Sequence, residues 1–158
     1  MKPKIVEKPS FTVVGLSLNT SMEKQSGDGY ALWQKFLRPD FVHSIPKKVN
    51  PNVVFSLHTD WNESKGTYIF TLGFEVSETT NLSKELSAVH IPYSTYTVFT
   101  ATGLMPDAAI KKWQEIADWR KNTKQRSTGI ASFEMYDERS QREEESVVSI
   151  YIPSVQEG

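Results

Sequence analysis

The residues best suited to chemistry lie in the segment Ser-Phe-Glu-Met-Tyr at positions 132–136. Because strand residues alternate between two faces, Phe133 and Met135 point to one side while Glu134 and Tyr136 point to the other. We expect Phe133 and Met135 to pack beneath a helix, which turns Glu134 away from it. A carboxylate among aromatic rings in a concave site is the arrangement that binds an organic cation. The alternative is a glutamate on a solvated sheet face, the usual environment of a strand glutamate.

Composition excludes several other classes of site. The absence of cysteine removes disulfides, thiolate metal ligands and cysteine nucleophiles, and three isolated histidines argue against a zinc centre. With 18 basic and 19 acidic residues, the chain lacks the cationic surplus needed to bind nucleic acid through its phosphates. No nucleophile elbow or phosphate-binding glycine loop occurs. We therefore predict no catalytic residue, no metal and no cofactor.

No apolar run approaches the roughly 20 residues that span a bilayer. The first ten residues, MKPKIVEKPS, are too polar for a secretory signal. These features predict a single domain, residues 1–158, that is cytoplasmic and does not bind membranes. The sequence does not specify an oligomeric state.

Hydrophobic periodicity predicts the elements that must position Glu134. Strands are expected at 11–18, 53–59, 67–76, 94–101, 130–137 and 147–152, and helices at 27–38 and 107–121. The order strand-helix-strand-strand thus occurs twice, in repeats of about 4–78 and 87–153. Neither repeat could bury much core alone, so we expect them to pack together about a pseudo-twofold axis. The predicted class is α+β, with antiparallel sheets, one main helix per repeat and a cleft between the repeats.

Alternation along the other strands adds candidates for the cleft wall. Aligning Phe55 and Leu57 with the apolar pair of the Glu134 strand places His58 across from Glu134, although a slip of one residue would reverse this. On the final strand the residues 148, 150 and 152 form the core side, which turns Tyr151 toward the cleft.

The second helix has an apolar stripe that includes two tryptophans. Trp113 lies at its centre and is expected in the core, whereas Trp119 lies on its margin and could border the cleft. On the first helix, Tyr30 and Trp33 share the face that is expected to be buried.

The motifs that carry a family resemblance run the length of the chain: Val-Val-Gly at 13–15, Phe70-x-x-Gly73-x-x-Val76, Trp113-x-x-Ile116-x-x-Trp119 and Phe133-Glu134-x-Tyr136-Asp137. Their order resembles that of the GyrI-like small-molecule-binding domains. These are also the effector-binding domains of AraC-type and MerR-type regulators such as Rob and BmrR. Those regulators carry a helix-turn-helix ahead of the sensor, whereas this chain begins at the first sensor strand. It is therefore expected to be a free-standing member, similar to integron-cassette proteins that bind cationic drugs, with a separate regulatory protein as a possible partner.

The resemblance implies roles for particular residues. Glu134 matches the family glutamate that lies in the ligand cleft and helps to bind lipophilic cations. The family aromatic at Phe70 also suggests that Tyr68 and Phe70 lie near the cleft, which alternation alone leaves open because both faces of their strand are partly apolar. The expected ligand is thus a hydrophobic, cationic or aromatic small molecule. Two alternatives stay open: hydrolysis of cyclopropane-bearing natural products by Glu134 and Tyr136, and a gyrase-inhibitor-like interaction with a protein.

Overall fold

The computed structural model describes residues 3–62, 64–123, 130–142 and 145–153. The elements in chain order are β1 (Lys4–Lys8), β2 (Phe11–Ser21), α1 (Gln25–Phe36), α2 (Pro39–Ser44), β3 (Val54–Asn62), β4 (Thr67–Val76), β5 (Ser87–Ile91), β6 (Ser94–Gly103), α3 (Asp107–Thr123), β7 (Ser132–Tyr136), a short 3-10 helix (Glu138–Gln141) and β8 (Ser146–Pro153).

All eight strands form one antiparallel sheet in the order β1-β6-β8-β7-β3-β4-β2-β5. Counted outward from the central β7–β3 pair, the same succession occurs on both sides: β8 and β4, then β6 and β2, then β1 and β5. The α+β class and the duplicated strand-helix-strand-strand order are therefore those predicted. The two repeats share one continuous sheet rather than two facing sheets.

The two outermost strands, which periodicity did not predict, are exchanged between the repeats. β1 pairs with β6 of the second repeat, and β5 pairs with β2 of the first. Each half of the sheet is thus completed by a strand whose sequence neighbours lie in the other half.

Both long helices pack on the same face of the sheet. Leu32 and Phe36 of α1 join the core formed by β2 and β4, and Ile116 of α3 packs on the isoleucines of β8. Ile150 of β8 is the register partner of Glu134, so Glu134 lies on the helix face. The expectation that Phe133 and Met135 lie beneath the second helix is therefore wrong. They point to the opposite face, and Glu134 lies on the face that carries α1 and α3.

That opposite face is buried because the sheet curls upon itself. β2 lies three strands from β7, a separation of about 14 Å in a flat sheet, yet the ring centroids of Phe11 and Phe133 are 5.6 Å apart. Tyr96 of β6 also contacts Phe133, with centroids 5.3 Å apart. The concave face thus forms a second core without a covering helix.

A pair of glycines marks the closest approach of β2 and β4. Gly15 and Gly73 are register partners, and a Cβ at Gly15 would lie 1.8 Å from the carbonyl oxygen of Leu72. Because no side chain fits there, both glycines of the motifs in strands β2 and β4 serve the backbone packing of the sheet.

Candidate ligand-binding cleft

The candidate cleft is the region between α1 and α3, and the two central strands form its floor. β3 and β7 pair in the register Ser56 with Glu134 and His58 with Ser132. Alternation then places Ser56, His58, Glu134 and Tyr136 on the helix face. Ser56, rather than His58, is thus the register partner of Glu134. Both residues share the face of Glu134, as aligning Phe55 and Leu57 with its strand predicted.

Glu134 is the central acid of this floor and is only 8% exposed. Trp113 of α3 donates its indole N–H to Oε2 of Glu134 at 3.0 Å. The hydroxyl of Tyr136 donates to Oε1 of the same carboxylate at 3.0 Å. Two neutral donors therefore hold both oxygens, which orients the carboxylate without neutralising its charge.

The ion pairs found among the described residues do not involve Glu134. Lys112 pairs with Glu115 on α3, and Arg139 pairs with Asp137 after β7. The first pair is an exposed pair between neighbouring turns of α3, of the kind that contributes little to stability. In the second, the guanidinium of Arg139 donates to both carboxylate oxygens of Asp137. No lysine or arginine of the described part of the chain forms an ion pair with Glu134.

Tyr136 links the acid to the first helix. Its ring meets the edge of Trp33 on α1, with centroids 5.1 Å apart and planes inclined by 75°. Burial raises the pKa of Tyr136 well above its usual value, and the charge of Glu134 and their hydrogen bond raise it further. The hydroxyl therefore stays protonated and keeps donating to the carboxylate.

His58 is surrounded by aromatic rings from three elements. Its ring centroid lies 5.4 Å from that of Tyr68, 5.9 Å from that of Phe70 and 5.4 Å from that of Trp113. Burial lowers the pKa of His58, Glu134 opposes this change, and the charge of Arg120 lowers the pKa further. Because the net shift is downward from the usual 6.5, His58 is neutral at pH 7.

Trp61 joins this aromatic cluster through Tyr68, a position that strand periodicity does not predict. A bulge interrupts β3 between Thr59 and Asn62, so Asp60 and Trp61 together lie across from Tyr68. Alternation counted from His58 would place Trp61 on the opposite face, which is why strand periodicity does not find it. The extra residue instead brings its ring onto Tyr68, with centroids 4.3 Å apart and planes 24° from parallel.

The structure brings five of the seven predicted site residues together. Glu134 and Tyr136 are joined by a hydrogen bond, and His58 contacts both Tyr68 and Phe70. His58 and Glu134 also interact electrostatically, which connects the two groups.

Tyr151 and Trp119 are not part of this cluster. Tyr151 lies on the concave face, where its ring stacks on Phe133 with centroids 4.7 Å apart. It shares the side of Phe133 because these two residues are register partners, so its expected place beside Glu134 is wrong. Trp119 packs against Phe99 of β6, on the far side of α3 from the cleft.

Both tryptophans of α3 pack against the core around Ile116, as was expected for Trp113. Trp113 also reaches Glu134 and His58, whereas Trp119 contacts Phe99 of β6. The helix turns Ala109 and Ile116 toward the sheet, which leaves Trp113 at the margin beside the cleft. On α1, Tyr30 is 69% exposed rather than buried.

Ser56 adds an unpaired polar group at the centre of the floor. Its hydroxyl is buried and has no hydrogen-bond partner within the described residues. Across the same ranges, no group of three or more His, Asp or Glu side chains is placed to hold a metal ion. No helix in the described part of the chain is long and apolar enough to cross a membrane.

Residues 4–153 match the family of integron-associated effector-binding proteins (Cass2). The chain belongs to this family. Family membership assigns it to effector binding, and Glu134 of the motif that suggested the relationship lies on the helix face of the central strands. The chain is also 30% identical to the transcriptional regulator BrlR of Pseudomonas aeruginosa, over 97% of its own length and 55% of that protein. It thus spans about half the length of this curated relative.

Two solved structures share the fold of this effector-binding chain. SAV2435, in a structure bound to tetraphenylphosphonium, has a TM-score of 0.82 and 19% identity, with 99% of this chain and 95% of that chain covered. An integron cassette protein from Vibrio cholerae has a TM-score of 0.69 and 22% identity, with 98% and 96% covered. At these identities the likeness concerns the fold.

Proposed function

We propose that this effector-binding domain takes hydrophobic organic cations between α1 and α3, with Glu134 as counter-charge. Tyr136, His58, Tyr68 and Phe70 contribute the surrounding rings. The observation that carries the proposal is a buried carboxylate on the cleft floor, held by two neutral donors and without an ion-pair partner in the described residues.

A buried, unneutralised charge is costly, which makes a cation the complementary ligand. Hydrogen bonds from Trp113 and Tyr136 offset only part of the desolvation of the carboxylate. A cation that enters the cleft gains the charge interaction in a medium of low dielectric constant, and it also gains the attraction of the ring faces. Both contributions favour a cation with an apolar exterior over a small hydrated ion.

The structural relatives supply a suitable probe. SAV2435, which shares the fold, has been solved with tetraphenylphosphonium. This cation buries its charge inside four phenyl rings, which matches a carboxylate surrounded by aromatic side chains. Tetraphenylborate has nearly the same shape and the opposite charge, so the pair separates charge recognition from hydrophobic binding.

The test is titration calorimetry of wild type and Glu134→Gln with each ion separately. Glutamine keeps the size of the side chain, and the Tyr136 hydroxyl can rotate to accept from the new amide. We expect wild type to prefer the phosphonium. The substitution should weaken phosphonium binding by roughly 2–5 kcal/mol, as when one partner of a desolvated charge pair is lost, and should not weaken borate binding.

Glu78→Gln is the matched control, because Glu78 is an exposed acid outside the helices and strands. It removes the same charge and should leave both affinities almost unchanged. Equal phosphonium affinity in wild type and Glu134→Gln would refute the counter-charge role.

The alternative function, hydrolysis of an electrophilic ligand, is favoured by one observation. The hydrogen bond from Tyr136 to Glu134 joins a proton donor to a carboxylate, the pair required for general acid–base catalysis. The discriminating measurement is turnover of a cyclopropane-bearing electrophile, followed by mass spectrometry in wild type and Glu134→Gln. Product formation that depends on Glu134 would favour hydrolysis over simple binding.

A further inference from the structure

We infer that Trp61 is a ligand-contact residue at the mouth of the cleft, and that it selects ligands carrying a second aromatic group beyond the one nearest Glu134. This inference rests on the proposed function, because it assigns a specificity role within the same cleft.

A continuous series of contacts connects Trp61 to the central carboxylate. Its ring stacks on Tyr68, the ring of Tyr68 meets His58, and His58 meets Trp113. Trp113 then donates its N–H to Glu134. An aromatic ligand that occupies the cleft therefore has rings beside it from the floor to the outer edge.

Trp61 is the exposed end of this series. Tyr68 is almost fully buried, whereas Trp61 is 48% exposed. Since Tyr68 covers one face of the indole, the exposed surface belongs to the remainder of the ring. The exposed part of the indole is therefore free to pack against a ligand ring that extends outward along this series of contacts.

The backbone beside Trp61 adopts an energetically unfavourable conformation. Asp60 adopts a positive φ of 54°, which is unfavourable for a residue with a side chain, although aspartate tolerates it better than most. The bulge also interrupts the hydrogen-bond ladder between β3 and β4. Bulges beside functional sites re-aim side chains, and here the bulge moves Trp61 onto the cleft face.

Tyr68, on which Trp61 stacks, is itself held in place by a hydrogen bond. The hydroxyl of Tyr68 donates to Oε1 of Gln25, the first residue of α1, at 2.8 Å. This hydrogen bond ties β4 to the first helix and orients the ring on which Trp61 stacks. A pre-oriented aromatic surface loses little conformational entropy when a ligand ring packs against it.

The experiment compares two cations that differ in the number of rings, tetraphenylphosphonium and benzyltrimethylammonium, by titration calorimetry. Trp61→Ala should weaken the four-ring phosphonium by about three- to tenfold, the usual value of one aromatic pair. It should change the affinity of the single-ring ammonium by less than about twofold. Trp61→Phe should restore most of the phosphonium affinity.

Tyr93→Ala serves as the control, since Tyr93 is a similarly exposed aromatic in the turn between β5 and β6. It should leave both affinities unchanged. Unchanged phosphonium affinity in Trp61→Ala, or an equal loss for both cations, would overturn the role of Trp61. If the proposed function is correct, Glu134→Gln weakens the binding of both cations. If Glu134→Gln leaves both affinities unchanged, the proposed function is wrong, and not only the role of Trp61.

Discussion

At the scale of single residues, the cleft places a neutral imidazole beside a buried carboxylate. His58 is packed among three aromatic rings, and the charged groups that act on it are Glu134 and Arg120. Burial dominates and lowers its pKa, so the ring is uncharged at neutral pH. The acid of the floor therefore attracts a bound cation without competition from His58, until the pH falls far enough to protonate the imidazole.

Ligand affinity should consequently depend on pH through His58. Because the pKa of His58 is lowered, the ring gains a proton only as the pH falls below about 6.5, and its positive charge then repels a cationic ligand. We expect tetraphenylphosphonium to bind progressively more weakly as the pH is lowered from about 8 through this range. Calorimetric titrations at several pH values measure this change.

His58→Gln should flatten the pH profile, whereas His90→Gln, a change at an exposed histidine, should leave it intact. A profile that persists in His58→Gln would show that another group controls affinity. The free energy of unfolding of the unliganded protein should also decrease as the pH falls. Because the folded pKa of His58 is lowered, its contribution is complete above about pH 6.5 and is lost as the pH falls toward the folded value.

At the scale of elements, periodicity predicted which residues share a face but not which face the helices cover. The bounds of β4 are those predicted, and α3 extends the predicted 107–121 by only two residues. The helix side could not be read from the strands, because adjacent residues such as Val13 and Val14 are both fully buried. Both faces of this sheet pack against a core, so neither face is polar. Alternation along a strand therefore does not show which face the helices cover.

The apolar stripes of the helices also failed to identify the buried residues, for a related reason. On α3, the stripe through Trp113 includes residues that face the cleft as well as residues that face the sheet, so its centre is not the direction of the core. Ile110 of this stripe is 53% exposed, and the buried contacts come from Ala109 and Ile116. The bulge that re-aims Trp61 has no periodic signal at all. A ligand-facing surface and a core are both apolar, and hydropathy cannot separate them.

The glycine pair of β2 and β4 makes a prediction about these elements. Gly15→Ala places a Cβ against the backbone of Leu72, which a side-chain rotation cannot relieve. We expect unfolding free energy to fall by more than about 3 kcal/mol, above the usual range for a single substitution. Urea denaturation measures the loss.

Gly27→Ala in α1 is the matched control, because a Cβ there meets no atom within 4 Å. Alanine is the better helix former, so this change should stabilise the protein by about 0.5–1 kcal/mol. A tolerated Gly15→Ala would mean that the two strands can separate at this point without disturbing the sheet.

At the scale of the whole molecule, the exchange of β1 and β5 makes each repeat depend on the other. The pairing of β3 with β7 joins the repeats at the centre, and the exchanged strands join them at both edges. The floor of the cleft lies on the central pair, with Ser56 and Glu134 contributed by different repeats. Neither repeat alone therefore contains both of these residues.

We therefore predict that residues 1–78 alone do not unfold cooperatively. In this fragment β1 lacks its partner β6, and β3 exposes Phe55 and Leu57 that the second repeat covers. Circular dichroism during thermal and urea denaturation should show a broad, non-sigmoidal change, compared with a single transition in the full chain. A sharp transition in a monomeric fragment would contradict the interdependence of the repeats.

The position of β8 has a consequence for the nascent chain. β8 is inserted between β6 and β7, both of which precede it in sequence, and it hydrogen-bonds to each of them. On the ribosome, β6 and β7 emerge before the strand that joins them, so each presents an unpaired backbone edge during synthesis. The pairing of β8 with β7 is local, whereas its pairing with β6 joins residues far apart in sequence, such as Tyr96 and Pro153, and such contacts are slow to form. Until β8 is in place, we expect the newly made chain to expose strand edges of the kind that promote aggregation.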